Sequence, residues 1–76
     1  MPSREIKPRT LLQALLKAGF EIKRQRGSSH VFLERIRNSE TRRTSISLHT
    51  KPLPFGTLRA ILKQTGISED ELKDLL

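Results

Sequence analysis

The segment FEIKRQRGSSHVFLERIRNSETRRTSISLH, residues 20–49, decides the fold. Phe20-Glu21-Ile22-Lys23 alternates apolar and polar residues, the period of a strand with one buried face. Strand one is predicted over 20–26, with Phe20 and Ile22 inward and that parity decaying into Arg24 and Arg26. Gly27-Ser28-Ser29 is turn chemistry. His30 to Arg37 reads as strand two, rich in β-branched and aromatic residues. Its facing is ambiguous: Phe32 and Ile36 share the parity of His30, whereas Val31 and Leu33 share the other. Asn38-Ser39-Glu40-Thr41 is a polar hairpin loop. Strand three follows over 43–49, with Thr44, Ile46 and Leu48 on one face and Ser45, Ser47 and His49 on the other.

Working outward, Pro8 suits a first helical turn, and Leu11, Leu12, Leu15 and Leu16 recur at helical spacing. Lys17 and Gly19 mark the end of a helix over about Pro8 to Ala18. Residues 1–7 form a loose basic leader. Downstream, Thr50 to Phe55 carries two prolines and is a connector. Gly56-Thr57 opens helix two, with Thr57 as its N-cap and Leu58, Ile61, Leu62 and Thr65 as its stripe; Gly66 ends it. Ser68 with Glu71 is a capping box for a short last helix edged by Leu72, Leu75 and Leu76. The order α-β-β-β-α, with an extra C-terminal helix, implies an α+β domain: a three-stranded antiparallel meander with helices on one face.

Seventy-six residues allow one domain, 1–76, with a small core and much surface left for a partner. No cysteine is present, which removes disulfides and thiolate metal sites. No apolar run reaches the length of a membrane span or a signal-peptide core, so a cytoplasmic protein without a membrane partner is expected. The net charge is +7, and it is polarised: residues 1–63 sum to +10 and residues 64–76 to −3. A basic body of this kind favours a polyanion, nucleic acid above all.

The stretch Arg24-Gln25-Arg26-Gly27-Ser28-Ser29-His30-Val31-Phe32 assembles the parts that engage a phosphodiester. Cations hold phosphate, Gly27 lets backbone approach closely, and an imidazole moves protons near neutral pH. Lys23, Arg24, Arg26 and Lys51, with Gly27, Ser28 and Ser29, are the candidate nucleic-acid contacts. For any one cation a solvated rim is as good an account; as a group they favour phosphate binding. His49 is a secondary candidate, better explained as a structural or nucleic-acid-contacting residue. Two histidines without a third ligand do not make a metal site, so neither metal nor cofactor is expected. The turn serines lack an oriented triad and read as local hydrogen-bonding groups.

These pieces, taken in order, resemble the HicA toxin family, small mRNA interferases of bacterial and archaeal toxin–antitoxin systems. The resemblance rests on Ala18-Gly19-Phe20, the Arg24–Phe32 stretch, Ile46-Ser47-Leu48-His49, and Gly56-Thr57-Leu58-Arg59-Ala60-Ile61-Leu62-Lys63-Gln64-Thr65-Gly66-Ile67-Ser68. It implies a fold like a double-stranded-RNA-binding domain, cleavage of mRNA, inhibition by a HicB-type antitoxin, and one catalytic histidine in the Gly-Ser-x-His turn. That role carries over to His30 alone. Many relatives have a second histidine where this chain has Ser29. The expected function is thus a metal-independent endoribonuclease toxin with His30 as general base. The alternatives are a non-catalytic RNA-binding module of the same fold and a protein-interaction domain for an acidic partner.

Overall fold

The computed structural model describes residues 6–27, 29–48 and 51–76. Its elements run α1 (Pro8–Lys17), β1 (Glu21–Arg26), β2 (His30–Arg37), β3 (Glu40–Ser47), α2 (Phe55–Thr65) and α3 (Glu69–Leu75). The strands form one antiparallel sheet in the order β1-β2-β3, and the helices cover one of its faces. No helix among the described residues is long and apolar enough to cross a membrane.

The core follows from the two periodicities. Leu11, Ala14 and Leu15 of α1 are buried at i, i+3 and i+4. Ile61, Leu62 and Thr65 do the same on α2. They meet Val31 and Leu33 of β2 and Thr44 and Ile46 of β3, which point to one side of the sheet. Leu16, expected in the apolar stripe of α1, is instead 42 % exposed, because the stripe is narrower than four leucines. Ile6 is buried too, and its carbonyl accepts from the Leu53 amide at 2.9 Å, tying residue 6 to the connector before α2.

Glycines close both long helices. After α1, Gly19 adopts φ +100°, and the Gly19 and Phe20 amides donate to Leu16 and Leu15 carbonyls at 3.1 and 3.0 Å. That reciprocal pair is a Schellman cap, and it turns Phe20 into the core. After α2, Gly66 at φ +76° and Ile67 both donate to the Leu62 carbonyl. The capping box of α3 is present, with Ser68 Oγ accepting from Glu71 N–H at 3.1 Å and Glu71 Oε1 accepting from Ser68 N–H at 3.2 Å.

Several boundaries differ from the sequence expectation. Phe20 precedes β1 and packs in the core. Asn38 and Ser39 alone form the β2–β3 loop, both with positive φ (52° and 65°), so β3 begins at Glu40. A two-residue turn of this hand matches strand twist better than the longer loop expected. Helix α2 starts at Phe55 with Pro54 as N-cap, so Thr57 lies inside it and is not the cap. Pro54 ends the extended connector, and its carbonyl accepts the first helical bond from Leu58 at 3.0 Å.

Arg35, on the helix-covered side of β2, fastens sheet to helix. Its Nη1 donates to the Ala18 carbonyl at 3.1 Å and its guanidinium lies 4.7 Å from the Phe20 ring centre. Arg37 reaches the same carbonyl at 3.4 Å. Positive charge at the C-terminus of α1 is favourable there. Burial of Arg35, then Arg37 beside it, lowers the Arg35 pKa from its ordinary value. Arg35→Ala removes a charged hydrogen bond and a ring contact, a loss of about 2 kcal/mol. Thermal unfolding should show Tm falling by on the order of 10 °C. An unchanged Tm would show that this arginine does not secure the junction.

Candidate nucleic-acid interface

The register determines which side chains share the open face. His30 stands opposite Arg26 of β1 and Ser47 of β3; Phe32 stands opposite Arg24 and Ser45. Because Val31 and Leu33 take the helix-covered side, His30 and Phe32 point away from it, and both are exposed. The ambiguity in strand two is thereby resolved in favour of an outward imidazole.

Arg24 and Arg26 reach this face through a β-bulge. Glu21 pairs with Glu34 and Ile22 with Leu33, but the next partner of β2, Phe32, is met by Arg24, leaving Lys23 as the extra residue. One inserted residue shifts the alternation by one. Ile22 therefore stays on the Leu33 side, 46 % exposed at the sheet edge, whereas Arg24 and Arg26 move to the side of His30. The expected simple decay of an inward parity along β1 is replaced by this switch of face.

Charge is divided along the open face. At one end, Lys23 Nζ pairs with Glu21 Oε1 at 3.2 Å and Arg43 Nε with Glu34 Oε2 at 2.8 Å. At the other end, Arg24 and Arg26 have no carboxylate within ion-pair distance among the described residues. Arg24 lies 5.9 Å from the Phe32 ring centre instead. The uncompensated positive charge is thus concentrated beside His30.

Beside this face lies a cleft of about 540 Å³. His30, Ser45 and Ser47 line it from the sheet, and Lys51, Pro52 and Thr57 from the connector and α2. Two backbone contacts shape it. The Leu48 amide donates to the Ser29 carbonyl at 2.6 Å, binding the β1–β2 turn to the end of β3, and the Leu53–Ile6 bond holds the connector. Gly27 adopts φ +56°, which the tight turn requires.

Of the candidates from sequence, the structure brings together Arg24, Arg26, Gly27, Ser29, His30 and Lys51 around one end of the sheet. Lys23 sits on the bulge and is engaged with Glu21. Ser28 and His49 lie outside the described residues. Sequence reasoning did not single out Phe32, Ser45 or Ser47 as contacts; the parity Phe32 shares with His30, and the alternation that put Ser45 and Ser47 on the polar face of strand three, were the signals available. Arg35, Arg37 and Arg42 belong to the basic composition but not to this face. Arg35 and Arg37 meet the end of α1, and the Arg42 guanidinium lies where a Cβ on Gly66 would be 3.2 Å from it.

A small α+β domain of double-stranded-RNA-binding-domain-like architecture, with a basic patch and an imidazole at one end of an open sheet face, is the class that fold and face define. The chain belongs to the HicA toxin family: residues 8–67 match the family model described as HicA toxin of bacterial toxin–antitoxin. Membership makes it the toxin component of such a system and implies an antitoxin partner. No curated protein matches the chain.

Proposed function

We propose that this toxin is a metal-independent endoribonuclease that cleaves mRNA, with His30 as general base. The observation that carries this is the position of His30: exposed, opposite Arg26, and lining a cleft with Lys51. A neutral imidazole takes the ribose 2′-OH proton while that oxygen attacks the adjacent phosphorus. The P–O5′ bond breaks, leaving a 2′,3′-cyclic phosphate on one product and, once a proton is returned to the oxygen, a 5′-hydroxyl on the other. Arg26 and Lys51 are placed to offset negative charge that builds on the phosphoryl oxygens. Arg24 and the Gly27–Ser29 turn hold the neighbouring backbone. Ser28 and His49 serve as RNA contacts in this scheme.

A HicB-type antitoxin is the neutralising partner in this proposal, covering His30 and the adjacent cations, and the cytoplasm, where mRNA is translated, is the site of action. The test is cleavage of a defined RNA with chelator present, with analysis of product ends. The expected result is cyclic phosphate termini, and no cut where the 2′-OH at the scissile position is replaced by hydrogen. Chelator-sensitive cleavage, or cleavage of the 2′-deoxy position, would contradict the proposal. RNA binding without any cleavage would make the chain a non-catalytic module of the same fold.

A further inference from the structure

We propose that Phe32 is a base-stacking platform, so that the open face accepts unpaired RNA with one base lying against the Phe32 ring. Phe32 is apolar and 38 % exposed, on a sheet face that no helix among the described residues covers. The core does not use it: Val31 and Leu33 fill that role from the other side of β2. Arg24 lies 5.9 Å from the ring centre, near the outer limit of about 6 Å for a cation–π contact. The guanidinium lies over the ring, so a base can stack on the guanidinium plane or take its place against the ring, and nucleobases stack on both kinds of surface.

Distance along the strand links this platform to the cleavage position. Two residues of strand separate Phe32 from His30 by about 6.6 Å on the same face. A base on Phe32 keeps its own sugar and phosphate within reach of His30 and Arg26. A duplex cannot use this site, because its base faces are already stacked on one another; paired RNA is recognised by shape, 2′-OH and phosphate contacts. The occupant is thus an unpaired strand, with charge complementarity supplied by Arg24 and Arg26. This role rests on the ribonuclease proposal only for the identity of the polyanion.

The sequence contains no tryptophan and no tyrosine, so Phe32→Trp installs a sole reporter at the site itself. The probe is a short unstructured oligoribonucleotide with 2′-O-methyl sugars, which blocks cleavage, and the same sequence as a duplex. The single strand should quench the tryptophan emission at saturation, and the duplex should not. Phe32→Ala and Phe32→Leu should each weaken single-strand binding about 5- to 150-fold, the usual range for loss of one stacked base. Leucine restores bulk and not a π-face, so full rescue by leucine would mark a packing role and overturn the proposal. Phe55, the other exposed ring with an arginine near it (5.6 Å), provides the comparison. Quenching in Phe55→Trp but not in Phe32→Trp, equal quenching by duplex, or no RNA binding by the wild type at low salt would each overturn it. Because the readout needs no turnover, intact cleavage without quenching refutes stacking alone. Quenching without cleavage refutes the ribonuclease proposal alone.

Discussion

His30→Ala should lower the rate of RNA cleavage by about 10²–10⁴-fold, the range for removal of one general acid–base group. The folded state should be untouched, since His30 is exposed at the first position of β2 and fills no part of the core. Circular dichroism and Tm of the variant should therefore match the wild type. Binding of RNA should fall little, because Arg24, Arg26 and Lys51 remain. A loss in rate with binding and fold retained separates proton transfer from positioning. His30→Gln sharpens the distinction, because glutamine hydrogen bonds but cannot take the 2′-OH proton; it should be as slow as alanine. In cells, growth arrest should disappear with the catalytic rate. Full cleavage by a folded His30→Ala protein would remove the base from the mechanism.

The second large effect is expected from charge reversal on the open face. Arg24→Glu with Arg26→Glu would remove the two phosphate contacts proposed for these arginines and add two repulsive charges beside His30. Two charge-assisted hydrogen bonds at about 1.5 kcal/mol each correspond to roughly 100-fold weaker RNA binding at low salt. The dependence of log K on log salt should also become shallower by about 1.4, at about 0.7 per phosphate for a single strand. Arg59→Glu with Lys63→Glu makes the same net charge change on the exposed side of α2. That variant should lose only the general attraction of a basic body, a much smaller effect. Equal losses in the two double variants would mean that net charge matters and the open face does not.

The division of labour among the arginines explains how much was legible from sequence. Helices and strands were readable because their ends are punctuated: Gly19 and Gly66 at helix ends, Gly27 in the first turn, Ser68 with Glu71 at α3. The buried set of β3 was readable because Thr44 and Ile46 alternate cleanly with Ser45 and Ser47. Strand two was not, since Phe32 and Ile36 are apolar on the open side while Val31 and Leu33 are apolar on the covered side. Periodicity assumes that apolar means core, and that assumption fails for Phe32 and Ile36 on the open face. The bulge at Lys23 left no trace in the residue pattern, yet it carries Arg24 and Arg26 to the side of His30. Counting cations could not separate those two from Arg35 and Arg37, because the difference lies in strand parity and in the position of the Ala18 carbonyl.

The central claim is that RNA is engaged on the open sheet face around His30, and amide chemical-shift mapping tests it most directly. The wild-type domain would be titrated at low salt with a non-cleavable single-stranded oligonucleotide. Shifts should cluster at Arg24, Arg26, Gly27, His30, Phe32, Ser45, Ser47 and Lys51, with α3 and α1 beyond its first turn, which borders the cleft at Pro8, unaffected. Shifts confined to the helix-covered side, at α1 and the exposed side of α2, would contradict the claim and place the interface on the opposite layer.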